Sequence, residues 1–196
     1  MSVAVTTVAA GHYEHKIGAH VYPVLPGEHL VILEPGAAVS TLLGSCVAAC
    51  IRDRVSGRGG LNHFLLPGSD GSDSARYGAY AMEVLINDIL RRGARREDLQ
   101  AKVFGGGEVI ATGGAQSVGQ KNVAFVRDYL QTEGITINAE DLGGTSARRI
   151  FFFPDTGKVR VQYLAALESR RAIDGERKFQ SLLKDKPKTG SVELFS

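Results

Sequence analysis

The segment 41–66 constrains the fold more than any other part of the chain, because it predicts two strands joined by a turn. Small, β-branched and apolar residues fill 41–51, and a second apolar run fills 61–66. Residues 52–57 between them contain Asp, Ser and Gly, which favour a turn. The first run carries a cysteine directly after a Gly-Ser pair, and the second carries a histidine just after a Gly-Gly pair. A potential nucleophile and a potential base therefore lie on consecutive predicted strands.

Cys46 and His63 are the candidate pair for acyl-transfer chemistry. A thiol becomes a useful nucleophile only as the thiolate, and a nearby imidazole is the commonest group that makes and holds it. Cys50 lies between Ala49 and Ile51, which predicts a core residue. Four residues of strand span roughly 13 Å, beyond the reach of a disulfide. We therefore expect two reduced thiols.

The composition is that of an ordinary soluble protein. The 196 residues are 43% hydrophobic and 22% charged, which predicts one domain with a tail. No apolar run has the length needed to cross a bilayer, and the N-terminus lacks the basic flank of a secretory signal. We therefore expect a cytoplasmic protein without membrane insertion. The formal charge of +2 is small and dispersed, which argues against nucleic-acid binding.

The sequence predicts neither a metal site nor a cofactor. The histidines other than His63 all precede residue 30, and no second cysteine pair completes a zinc site. They are His12, His15, His20 and His29. The Gly-rich run 104–107 lacks the Gly-Lys-Ser/Thr of a phosphate loop, so we expect a turn packed against the active-site wall. Asp141 precedes a Gly-Gly pair, and we interpret it as a turn former rather than a substrate-facing carboxylate.

The remaining pattern predicts two helices set among strands. Apolar residues recur at helical spacing in 77–92 and in 120–133, and a glycine follows each segment. Strand-like runs begin at 101, 135 and 148, and the run 151–153 suits a strand buried on both faces. The order is strands, helix, strand, helix, strands. This order favours an α+β fold over a doubly wound sheet.

The chain divides into three predicted parts. Residues 1–20 have little pattern and predict a flexible N-terminal segment. Residues 21–165 contain the strands and helices and predict the folded domain. Residues 166–196 are charged and predict a tail that is partly helical or disordered.

Six motifs occur in the order and spacing found in one bacterial family. They are TLLGSCVAACIRD, GGLNHFLLP, AKVFGGGEVI, VGQKN, AEDLGG and PDTGKVRV, and they cover roughly 22–164. On these motifs the chain resembles CheD, the family of chemoreceptor glutamine deamidases. The resemblance implies a CheD-like cysteine hydrolase domain over 21–165. It also implies a three-layer sandwich in which helices pack on two β-sheets.

The activity implied by the resemblance is hydrolysis of the side-chain amides of selected glutamines on methyl-accepting chemoreceptors, giving glutamate, in chemotaxis adaptation. The thiolate of Cys46 would attack the amide carbon, ammonia would leave, and water would hydrolyse the thioester. His63 would accept and return the protons. The backbone N–H groups around Gly44, Ser45 and Cys46 are the candidates for stabilising the oxyanion.

A hydroxyl that orients the imidazole is the third expected member of the site. The resemblance implies a threonine six residues before the cysteine, and this spacing falls on Ser40. A serine hydroxyl can accept the same hydrogen bond, so Ser40 is the preferred residue. Thr41 is the alternative, and it would require a shift of one residue in the strand, which reverses the face of the side chain.

Two other functions are compatible with the same residues. A hydrolase of receptor methyl esters would act on the same acyl centre as a glutamine deamidase. A binding module is the other alternative, since some CheD proteins partner CheC, the phosphatase of the response regulator, without turnover. The presence of both Cys46 and His63 favours the enzyme.

Overall fold

The computed structural model describes residues 10–66, 72–109 and 117–184. The described ranges contain ten strands, three α-helices and a short 3-10 turn at Arg96–Asp98. In chain order the strands and helices are β1 His12–Glu14, β2 Ala19–Pro23, β3 His29–Ile32, β4 Ala38–Leu43, β5 Val47–Asp53, β6 Gly59–Phe64, α1 Ser72–Arg91, β7 Leu99–Gly105, α2 Val118–Thr132, β8 Thr136–Leu142, β9 Arg148–Phe153, β10 Lys158–Tyr163 and α3 Ala166–Lys184.

The strands form two mixed sheets of five strands each. The first sheet has the order β1-β2-β4-β9-β10, and the second has the order β3-β6-β5-β7-β8. The pairs β2–β4 and β7–β8 are parallel, whereas the other pairs are antiparallel. One apolar cluster joins β4 and β9 of the first sheet to β5 and β6 of the second. A second cluster joins the opposite face of the second sheet to α1 and α2. The predicted α+β fold with three layers is therefore confirmed.

Strand β5 shows why the second sheet occupies the middle layer. Successive side chains of a strand point to opposite faces. Val47, Ala49 and Ile51 pack toward the helices, and Ala48 and Cys50 pack toward the first sheet. Because both faces are buried, the strand is a nearly continuous apolar run. The prediction that Cys50 is a core residue is confirmed.

The run 41–51 is divided between the two sheets. Strand β4 is the central strand of the first sheet and β5 is the central strand of the second. The chain crosses from one sheet to the other through residues 44–46, which belong to neither strand. Cys46 therefore lies at the end of the sandwich, where the two layers are covalently connected.

The N-terminal part of the described chain is more ordered than expected. Residues 1–9 lie outside the described ranges, but β1 pairs with β2 across a turn containing Gly18, which has a φ of +74°. Ile17 packs against an apolar cluster on the outer face of the first sheet. The flexible segment expected over 1–20 therefore does not include this hairpin.

The expected tail begins with a helix that packs on the domain. Phe179 of α3 contacts the apolar cluster between the two sheets, and Glu176 is buried. Residues 185–196 lie outside the described part of the chain. None of the helices within the described ranges is long and apolar enough to cross a membrane.

Candidate active site

The loop at 44–46 is held in place by the glycine turn that follows β7. The N–H of Gly106 donates to the carbonyl of Cys46 at 2.7 Å, and the N–H of Gly107 donates to the carbonyl of Gly44 at 2.7 Å. Gly105 has a φ of +106°, and a Cβ there would lie 2.2 Å from the carbonyl oxygen of Cys46. Only glycine permits this approach. The Gly-rich run is therefore a turn against the active-site wall, as predicted.

The glycine turn is itself supported by a buried arginine. Arg148 is 1% exposed and donates to the carboxylate of Asp141 at 2.6 Å. It also contacts the carbonyl of Gly143, whose N–H donates to the carbonyl of Gly105 at 2.8 Å. The interpretation of Asp141 as a turn former is incomplete, because its carboxylate is the partner of a buried charge.

Asn122 of α2 connects the loop at 44–46, called the cysteine loop below, to the segment that follows β6. Its Nδ2 donates to the carbonyl of Ser45 at 2.8 Å, and its Oδ1 accepts from the N–H of Leu66 at 2.9 Å. The side chain is fully buried, so both bonds form without competition from water. The VGQKN motif, of which Asn122 is the last residue, predicted no such role for it.

His63 has a hydrogen-bond pattern that defines its tautomer. Its Nδ1 lies 2.7 Å from Oγ1 of Thr41, and that hydroxyl donates to the carbonyl of Val24 at 2.7 Å. A threonine hydroxyl has one proton, so the Nδ1 of His63 must be the donor to Thr41. Nε2 is then the basic nitrogen, and it is buried without a hydrogen-bond partner.

The preference for Ser40 over Thr41 is wrong in this geometry. Thr41 lies between Val39 and Leu43 on the face of β4 that packs between the sheets. Ser40 shares the opposite face with Ala38, whose apolar cluster lies outside the sandwich. The spacing of six residues before Cys46 pointed to the wrong residue because it crosses the irregular loop at 44–46. A spacing counted through such a loop does not determine the register of the strand before it.

Cys46 and His63 lie together with a third residue, Glu176 of α3, which no sequence motif predicted. The thiol sulfur, a ring nitrogen and a carboxylate oxygen all lie within 4.8 Å of one another. All three residues are buried, with exposed fractions of 0%, 2% and 3%. Glu176 is 130 residues from Cys46 in sequence, so no local motif connects the two.

The Glu176 carboxylate occupies the backbone donors that were proposed for the oxyanion. Its Oε1 accepts from the N–H of Gly44 at 2.7 Å and from the N–H of Cys46 at 3.0 Å. Its Oε2 accepts from the N–H of Ser45 at 2.9 Å and from the Ser45 hydroxyl at 2.8 Å. We call this set of donors the anion cradle. A cradle that binds a carboxylate has the polarity needed for a tetrahedral oxyanion.

Burial controls the protonation of the catalytic candidates. It raises the pKa of the Cys46 thiol, and the Glu176 carboxylate raises that pKa further. Burial lowers the pKa of the His63 imidazole, against the opposing effect of Glu176. Both groups are therefore neutral near pH 7 while α3 covers the site.

Among the described residues, Cys46, His63 and Glu176 are the one cluster of ligand types close enough to hold a metal ion. The surroundings suit an anion better. Each oxygen of Glu176 already accepts two hydrogen bonds, and the groups that face it are N–H and O–H donors. Donors that converge on one point repel a cation. The arrangement therefore fits acyl transfer rather than metal binding.

The chain is similar to known proteins over most of its length. The family model described as CheD chemotactic sensory transduction matches residues 65–163. Proteins called "Probable chemoreceptor glutamine deamidase CheD" from Thiobacillus denitrificans and Herminiimonas arsenicoxydans are each 48% identical over 94% of this chain and 94% of their own length. The protein of that name from Stenotrophomonas maltophilia is 50% identical over 88% of this chain and 87% of its own.

A solved structure from Neisseria meningitidis is 14% identical to this chain, with a TM-score of 0.42, over 67% of this chain and 65% of its own, so the likeness is remote. The relatives from Thiobacillus denitrificans and Herminiimonas arsenicoxydans, by contrast, align with nearly the whole chain and are identical to it at close to half of the aligned positions. This chain belongs to the CheD family.

Proposed function

We propose that this protein is a chemoreceptor glutamine deamidase, a protein-glutamine glutaminase that acts in chemotaxis adaptation. Its substrates are side-chain amides of selected glutamines on methyl-accepting chemoreceptors, and its products are glutamate and ammonia. Curated relatives at 48% identity carry this name. The observation that carries the proposal is the anion cradle. It holds the side-chain carboxylate of a glutamate, the functional group of the product, beside a cysteine and a histidine.

The first half of the reaction forms a thioester. Nε2 of His63 takes the proton of the Cys46 thiol, and the thiolate attacks the amide carbon of the target glutamine. The carbonyl oxygen becomes an oxyanion where Oε1 of Glu176 now lies, between the N–H groups of Gly44 and Cys46. Each such donor contributes roughly 10²–10³ to kcat in a comparable site. The imidazolium then protonates the nitrogen, the C–N bond breaks, and ammonia leaves.

The second half hydrolyses the thioester. His63 is neutral again after the first proton transfer, so Nε2 can take a proton from water as the water oxygen attacks the carbonyl carbon. The oxyanion returns to the same two N–H groups. The C–S bond breaks, the thiolate of Cys46 recovers a proton from His63, and the target residue leaves as glutamate. The net reaction consumes one water and releases one ammonia, with no cofactor.

The hydroxyl of Thr41 orients the imidazole in this mechanism. Thr41→Val should lower kcat/KM by about tenfold or more, though by less than the roughly 10⁴-fold lost when the orienting aspartate of a serine protease is changed. Thr41→Ser keeps the hydroxyl and should retain most activity. Ser40→Ala is the matched control on the opposite face of β4 and should change little. A greater loss at Ser40 than at Thr41 would contradict this role.

The target should be recognised mainly through its surrounding protein surface. The described residues of the site offer a cradle for one side-chain group, and binding energy from remote contacts can orient that group for attack. We expect free glutamine and short unstructured peptides to be poor substrates and a folded receptor helical bundle to be a good one. Ammonia release from the three at equal amide concentration tests this expectation. Equal rates on free glutamine would indicate a small-molecule glutaminase.

Regulatory binding to CheC is the second candidate function. The observation that favours it is the covered site, because a protein with Glu176 in the cradle cannot admit a substrate side chain in the same arrangement.

Hydrolysis of receptor methyl esters would use the same thiolate and the same oxyanion donors. Methanol release from a methylated receptor fragment distinguishes that reaction from deamidation, which releases ammonia.

A further inference from the structure

Helix α3 covers the active site through one charged and one apolar side chain. Among the described side chains of α3, Glu176 is the one that is buried. Its carboxylate accepts four hydrogen bonds from the cradle. Phe179, one turn further along, packs so closely over Gly27 that a Cβ there would lie 2.5 Å from its ring. Residues three apart lie on the same face of a helix. Both contacts therefore come from one stripe of α3.

The cradle is at the reaction centre itself, and not beside it. The two oxygens of Glu176 receive hydrogen bonds from the backbone N–H groups of all three residues in the cysteine loop. One of these oxygens is within 4.8 Å of both the Cys46 sulfur and a nitrogen of His63. A glutamine side chain has the same length and the same planar end group as a glutamate side chain. It would present its amide carbon where the Glu176 carboxylate carbon now lies.

We propose, on the basis of the deamidase function above, that Glu176 occupies the subsite of the target glutamine side chain, and that a substrate helix must displace α3 to reach Cys46. Helix α3 is then an intramolecular competitor that carries the product group. The expected substrate is a helix with a glutamine in the place of Glu176 and an apolar residue three positions later in the place of Phe179.

The contacts of α3 are consistent with displacement. Most of the described side chains of α3 are exposed or half-buried. The helix also leaves a cleft of about 90 Å³ open beside Glu176, lined by residues that include Ser45, Gly107, Ser117, Arg177 and Gln180. Displacement removes the negative charge of Glu176, which is one of the causes that raise the pKa of the Cys46 thiol. A substrate helix would thus replace an inhibitory charge with a neutral amide.

Competition lowers the apparent affinity for substrate by the fraction of molecules in which the site is open. If α3 is docked in nine of ten molecules or more, Glu176→Ala should raise kcat/KM on a receptor fragment by about tenfold or more. It should raise the rate of Cys46 alkylation by a small neutral thiol reagent by a similar factor. Glu168→Ala removes the same charge from an exposed position of the same helix and should change neither rate.

Alkylation needs no substrate, so it separates this proposal from the deamidase assignment. A faster alkylation without deamidation of the receptor fragment by any variant would support the docking of α3 and count against the proposed function. Unchanged alkylation in folded Glu176→Ala protein would overturn the competitor role of α3. A fall in kcat/KM in that variant would also overturn it, because Glu176 would then assist the reaction.

Glu176→Gln tests the subsite directly, because it places an amide in the cradle. The amide oxygen can take the place of Oε1, and the amide nitrogen, where Oε2 now lies, can donate to the Ser45 hydroxyl, which accepts as well as donates. The N–H of Ser45 loses its acceptor in this arrangement. We expect position 176 of the purified variant to convert to glutamate with release of ammonia, as detected by peptide mass spectrometry. The double variant Glu176→Gln, Cys46→Ala should keep the amide. An amide retained at position 176 in protein that deamidates the receptor fragment would overturn the subsite assignment.

Discussion

Cys46→Ala should abolish deamidation of a receptor fragment while the protein remains folded. The substitution removes the sulfur that forms the thioester, on which both halves of the proposed reaction depend. A small side chain replaces a small side chain, so the loss of stability should be on the order of 1 kcal/mol. Activity is measured as ammonia release, and folding by thermal unfolding.

Cys50→Ala is the matched control for this prediction. Cys50 is also buried, but it lies within β5, where it pairs in register with Leu61 and Lys102, and it belongs to the apolar cluster between the sheets. Its substitution should cost a similar amount of stability and keep most activity. Ordinary turnover by folded Cys46→Ala protein, or loss of activity only at Cys50, would show that the mechanism uses a different nucleophile.

His63→Ala should lower kcat/KM by at least 10²–10⁴-fold, about the range that general acid–base catalysis contributes. The real loss should exceed this range, because His63 also generates the thiolate from a thiol whose pKa is raised by burial. His63→Asn keeps more of the side-chain volume in a buried position and should lose a similar amount of activity. Steady-state kinetics on the receptor fragment would measure both variants.

His29 provides the control for the histidine variants. It lies on β3, which pairs with the strand of His63, and its imidazole lies 3.7 Å from the carboxylate of Asp88 on α1. His29→Ala should therefore leave kcat/KM unchanged. A folded His63→Ala protein that retains the wild-type rate would exclude His63 as the base.

Much of the fold follows from local patterns in the sequence. The apolar run of β5 and the helical spacing of α1 and α2 depend on neighbouring residues, so they predict the layers correctly. The candidate pair Cys46 and His63 was also visible, because each residue lies beside a Gly-containing turn in a specific motif. The structure brings these two residues together at one end of the sandwich.

The remaining features depend on register and on long-range packing. The choice between Ser40 and Thr41 is decided by which face of β4 points between the sheets, and a residue count through an irregular loop does not determine that face. The sequence did not predict a role for Glu176, because acidic residues in a charged helix usually face solvent. A sign of its role was present in the spacing of Glu176, Phe179 and Leu183, which places a carboxylate on the apolar stripe of α3.

The most direct test of this account is peptide mass spectrometry of a chemoreceptor cytoplasmic fragment after incubation with the intact protein. We expect conversion of glutamine to glutamate at discrete positions, with one ammonia released for each conversion. The conversions should appear faster with Glu176→Ala and should be absent with Cys46→Ala. A fragment left unmodified by both folded wild-type protein and folded Glu176→Ala protein would contradict the account.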